Sequence, residues 1–171
     1  MSYKSRRRAL LHFEARAANA VYCAKVLHEA EGRGAHEGFL REASLALELI
    51  VKAVITQRLE VGEDLGIITR VPANHNVPQL WADAKLPKPS PDDYGRLVRA
   101  RVYLMWAGRY PAPNKDEHGD RDHDDIWEHA YERMPNSELF RKPHSFNYED
   151  VDRIFGVARD CFWLLRHEHD L

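Results

Sequence analysis

"LALELIVKAVITQRL", residues 45–59, is the stretch on which the fold turns. Leu45, Leu49, Ile50, Ala53 and Ile55 recur at helical spacing and predict a helix over about 37–60. Glu48 and Lys52 stand four apart within it, acid before base, the favourable order for a surface ion pair. Working outward, Leu10, Phe13, Ala17, Ala20, Ala24 and Leu27 give a preceding helix over about 6–31, closed by Gly32 and Gly34. Beyond Gly62 and Gly66, Asn74-His75-Asn76 leads into a short helix over about 77–84, which an asparagine can cap.

The segment "PKPSPDDYGRL" (87–97) starts a fourth helix, with Ser90 or Asp92 as its cap and Tyr94, Leu97, Val98, Arg101, Leu104 and Met105 as its periodic positions. That helix runs into "VYLMWAGRYPAPN" (102–114). Gly108 and Pro111 supply a stop signal there, and Arg109 and Tyr110 sit on it. Two readings stand side by side: a plain C-terminal cap, or a recognition corner presented by the end of a rigid element. A polar acidic loop follows over about 112–145, with a short helix near "DIWEHAYERM" (125–134). Asn147 or Ser145 caps a last helix over about 148–168, whose inward face is Val151, Ile154, Phe155, Ala158, Cys161, Phe162 and Leu165. No stretch alternates well enough for a strand. The expected fold is therefore all-α, one domain over residues 1–171: an antiparallel up-and-down bundle of four long helices plus a short one.

At 171 residues, with 30% charged and 44% hydrophobic side chains, the chain has the make-up of a soluble globular domain. It has no eighteen-residue apolar run, and the basic start "MSYKSRRRALLHFEARA" is soon broken by Glu14 and Arg16. A charged helix start fits better than a signal peptide, and a cytoplasmic location is expected, with no membrane contact. Cys23 and Cys161 lie in helical patterns among apolar residues and read as free core thiols.

Net charge is −2, unevenly spread. From Lys85 to Arg109 six basic residues face Asp92 and Asp93; from Pro111 to Glu132 eight acidic residues face Lys115 and Arg121. This asymmetry either steers an anionic partner or has the acidic loop shielding an arginine-rich helix. Arg96, Arg99 and Tyr103 share one face of the fourth helix. Arg101 falls near the apolar stripe and needs either a partner, for which Glu48 is available, or an edge to reach solvent. His118, His123 and His129 stand among acids, with Asp125 and His129 four apart, but lack the tight ligand pairs of zinc sites. No metal and no cofactor is expected.

Read in order, "LALELIVKAVITQRL", "NHNVPQLWADAKLP", "YLMWAGRYPAPN" and the final helix from Tyr148 resemble the HEPN domain family of helical bundles. The branch it resembles carries Glu-Leu-x-x-Lys-Ala on its second helix, here Glu48, Leu49, Lys52 and Ala53. A His-Asn segment with Leu opens the short helix, here His75, Asn76 and Leu80, and Ala-Gly-Arg-Tyr-Pro ends the fourth, here Ala107 to Pro111. The likeness covers roughly residues 40–113 and the last helix.

The resemblance implies a homodimeric module of bacterial regulation or defence that binds nucleotide, RNA or a protein partner, a nucleotidyltransferase being one such partner. Arg109, Tyr110, His75, Trp106, Arg101, Glu48 and Lys52 are the ligand-binding residues it points to. Many members are metal-independent ribonucleases, some of them toxins, which use an arginine and a histidine separated by four to six intervening residues. Here the first histidine after Arg109 is His118, too far along, with prolines between them. Pairs at the permitted spacing, Arg6 or Arg7 with His12 and Arg70 with His75, fall away from the later helices. A nuclease built on Arg109 and His118 is the alternative reading. A scaffold in which Gly-Arg-Tyr-Pro only locks the bundle is the third.

Overall fold

The computed structural model describes residues 3–30, 32–107, 116–133 and 141–169. Six helices form: α1 (Tyr3–Glu29), α2 (Arg33–Glu60), α3 (Val77–Asp83), α4 (Pro91–Val102), α5 (Asp116–His129) and α6 (Tyr148–Glu168). One minimal antiparallel ribbon joins them, β1 (Tyr131–Arg133) with β2 (Arg141–Pro143), in the register Tyr131 to Pro143 and Arg133 to Arg141. The all-helical expectation holds for everything else that is described.

The helix around "LALELIVKAVITQRL" is the axis of the molecule. It packs against α1, α3, α4 and α6. Every residue from Ser44 to Gln57 is buried except Leu45 and Leu49, which are half-buried. The expected one-sided stripe is thus a correction: a helix covered on all sides has no polar face to spare. Its hydroxyls are satisfied by turning back on the helix, Ser44 Oγ donating to Leu40 O at 2.7 Å and Thr56 Oγ1 to Lys52 O at 2.7 Å.

α1 lies along α2 through Ala17, Ala20 and Ala24, side chains small enough to let the two backbones come close. Cys23 faces solvent, which corrects its reading as a core thiol. Cys161 is half-buried, its Sγ 3.4 Å from Arg58 Nη2. α6 lays Val151, Ile154, Phe155, Ala158, Phe162 and Leu165 into the core, as its periodicity requires. Two caps fall where expected: Ser90 accepts from Asp93 N at 3.1 Å, and Asn147 accepts from Asp150 N at 2.9 Å. At α3 the cap-position Asn76 makes no side-chain cap bond; Asn74 Oδ1 accepts from the Asn76 N–H instead.

The acidic region corrects the sequence reading most. Instead of a loop with a helix near 125–134, it holds the fourteen-residue α5, which ends where that helix was expected to be centred. α4 in turn gives way after Val102 to one π-helical turn, Tyr103–Ala107. The basic residues of α4 are consumed by their neighbours. Arg96 pairs with Asp93 (2.9 Å) and Asp150 (3.0 Å) and donates to Ser145 O; Arg99 donates to His144 O at 3.0 Å. Together they fasten the segment leading into α6 onto α4.

Asp93 is the hub of that fastening. Arg153 reaches it from α6 with two bonds of 2.7 Å and, as the leading cause, holds its carboxyl below the ordinary value of 3.8, helped by Ser90 and Arg96 against the opposing effect of burial. A depressed carboxylate stabilises the fold above its unfolded pKa and loses that contribution as pH falls through the folded one. Thermal melts of Arg153→Ala and the native chain should therefore differ at pH 7 and converge as pH drops below about 4. A gap that persists unchanged at pH 2.5 would refute this assignment.

Candidate functional site

Burial of α2 brings together three of the residues singled out in the sequence. The Glu48 carboxylate lies under the surface and accepts from Lys52 Nζ at 2.5 Å; the two side chains are only 4% and 8% exposed. Sequence spacing suggested an ion pair on the surface, and the pair forms, but inside the protein, because α2 has neighbours on every side. His75, on the loop before α3, closes over the same carboxylate with Nδ1 at 3.0 and 3.1 Å from its two oxygens. Its ring is 38% exposed, the outermost member of the three. Among the described residues both hydrogen bonds of the ring run through Nδ1, which leaves Nε2 to solvent or a ligand.

Chemically this is an oriented imidazole backed by a neutralised acid. Lys52 balances the Glu48 charge, so the carboxylate fixes the ring without making the spot anionic. Such a group can hydrogen-bond an anion or shuttle a proton, its tautomer set by the carboxylate behind it.

Arg101 is not joined to Glu48. Its Nη2 bonds Asp122 at 2.9 Å and Asp125 at 2.8 Å, both on α5. The acidic helix therefore covers Arg101 of the arginine-rich one, whereas Arg96 is neutralised from α4 and α6 by Asp93 and Asp150. Arg101 still borders a small cleft of about 250 Å³ together with Asn76, Gln79 and Asp125, next along the chain to His75.

Arg109 and Tyr110, with the rest of Gly-Arg-Tyr-Pro, lie outside the described residues, as do the side chains of Trp106 and His118. His123 stands in solvent, 3.8 Å from Asp124. His129 packs edge-on against Tyr94, ring centres 5.0 Å apart. Among the described residues no three His, Cys, Asp or Glu side chains are grouped to hold a metal ion, and no helix is long and apolar enough to cross a membrane.

A larger cleft of about 920 Å³ opens between α3, the start of α4 and the end of α5. It adjoins the small one, sharing Pro78, Ala82, Tyr94 and His129 with it. Sequence reasoning did not find it, since its walls come from four separate segments. The proline-rich run at 87–91, which stiffens one rim, was the available signal. Compared with known proteins, the chain matches no family model, no curated protein and no solved structure.

Proposed function

We propose that this chain is a HEPN-like four-helix module of bacterial regulation or defence that binds an anionic ligand, nucleotide or RNA, at the corner where His75 stands over Glu48 and Lys52. In this reading Arg109 and Tyr110 belong to the same corner, the module works in the cytoplasm as a homodimer, and a nucleotidyltransferase is a candidate protein partner. The observation that supports it most is the buried Glu48–Lys52 pair beneath a part-exposed imidazole. A buried ion pair is an inefficient source of stability, often matched or bettered by apolar side chains of the same volume. Spending one on the orientation of a surface histidine makes sense if that histidine has work to do.

Asn76 beside it, on the rim of the small cleft, offers a further donor to a phosphate or a base. Binding is favoured over catalysis because the expected Arg–His nuclease spacing is missing at 109 and because each described arginine of α4 already has an internal acceptor.

The test is thermal stabilisation by a nucleotide panel and by a short RNA in EDTA, comparing the native chain with His75→Ala. Saturating ligand at about 100 times Kd should add about 2.7 kcal/mol of stability to the native chain. His75→Ala should melt near the native temperature without ligand, because its ring is part-exposed, yet lose at least about tenfold in affinity, the loss of one charge-assisted hydrogen bond. RNA cleavage in EDTA that disappears in His75→Ala would replace binding by a ribonuclease reading. No stabilisation by any nucleotide or RNA would leave the corner a structural lock.

A further inference from the structure

Which nitrogen of the His75 ring is engaged decides what the ring can offer a ligand. Both oxygens of Glu48 lie against Nδ1, at 3.1 and 3.0 Å. Glu48 also accepts from the buried Lys52 ammonium, so it stands there as a carboxylate, with lone pairs and no hydrogen to give. The hydrogen in these contacts is therefore carried by Nδ1. A neutral imidazole has one N–H in all, so Nε2 of the neutral ring is a bare lone pair. That lone pair repels the oxygens of a phosphate or carboxylate. Only the protonated ring has an N–H at Nε2, and a positive charge comes with it.

The charges around the ring leave this proton no substitute among the described residues. Lys52 and Glu48 of α2 face the ring and cancel each other. On the small cleft beside Asn76, Arg101 of α4 is bonded by Asp122 and Asp125 of α5, two acids against one base. The other titratable side chains on that cleft are His129 and Tyr94, packed on each other. The loop that carries His75 brings no charged partner to its ring among the described residues. With the ring neutral, the described corner has no spare positive charge. The ring is 38% exposed, so proton and ligand both reach it from solvent.

We infer that the corner takes up its anion together with a proton on His75, so that affinity rises as pH falls. This coupling rests on the reading of the corner as an anion site. An anion that binds imidazolium better than imidazole is held more weakly as pH rises through about 5 to 8, where imidazoles change charge. Uptake of one proton per ligand sets a limiting slope of about tenfold in Kd per pH unit.

Protein labelled with nitrogen-15 at histidine is followed from about pH 5.5 to 8.5, a span that brackets imidazole titration. Long-range proton–nitrogen spectra read both ring nitrogens. The probe is a short oligoadenylate without a terminal phosphate, whose phosphodiesters keep one charge each throughout. At the alkaline end the His75 ring should carry its hydrogen on Nδ1, with Nε2 unprotonated. Between about pH 6 and 8 the Kd should rise at least about tenfold. Bound probe should in turn move the titration of the ring upward, as reciprocity requires. His75→Gln, whose amide N–H no proton controls, should bind with a Kd that stays flat.

An Nε2–H ring at alkaline pH overturns the inference, and so does a slope that His75→Gln keeps in full. A Kd flat in pH, for a probe that His75→Ala weakens, overturns the coupling and leaves the anion site standing. No binding even at the acid end removes the site and the coupling together.

Discussion

Glu48→Ala should cost the protein about 3–5 kcal/mol, among the largest losses any single substitution can cause here. The reason is Lys52. Its ammonium is 8% exposed and its described ion pair is with Glu48, so removing the carboxylate strands a positive charge in the interior of α2. For a chain of this length the loss corresponds to a fall of roughly 10 °C or more in melting temperature. Lys52→Met in the same background should restore most of it, since the thioether of Met fills the space of the lysine stem and leaves no charge to strand. Melting curves of the single and double variants form the check, and a double variant no more stable than Glu48→Ala would show that the charge was not the cause. The two effects separate function from fold: the double variant keeps the bundle but frees the His75 ring, so it should lose ligand affinity like His75→Ala while melting near the native temperature.

Gly95→Ala is the second. Within an exposed helix such a change normally adds up to about 1 kcal/mol of stability. Here the sign reverses. A Cβ at Gly95 would stand 2.1 Å from His129 O and 2.8 Å from its carbonyl carbon, contacts with backbone that no rotamer change relieves. The end of α5 must move off α4, at a cost of about 3 kcal/mol or more. The ring contact between Tyr94 and His129 would go with it, and both clefts would widen. A melting temperature equal to or above the native one would show that α5 does not lean on Gly95 in solution.

Helix positions and caps were readable from residue spacing because they depend on neighbours a few positions away. Ser90, Asn147 and the buried face of α6 are of this kind. What was not readable depends on which helix ends up in the middle. Spacing alone gives α2 one apolar stripe, and only its four neighbours turn Glu48–Lys52 from a surface pair into an interior one. Arg101 was seen to need a partner, but its acids lie 21 and 24 residues away, on a helix hidden in a sequence too acidic to read as one. The site was legible in part. Glu48, Lys52 and His75 do meet, while the large cleft, with His144 among its walls, had no local pattern to announce it.

α5 places Asp120, Asp124 and Glu128 one turn apart on a single exposed line, so it carries its own repulsion along its length. What opposes this is the shielded contact of Arg101 with Asp122, 16% and 5% exposed. Dissolved ions damp the first far more than the second, since screening acts on charges in solvent and barely on covered ones. Ionic strength thus becomes a tuning knob for the wall shared by the two clefts. Dilute buffer strains that wall outward, and ordinary salt lets it settle.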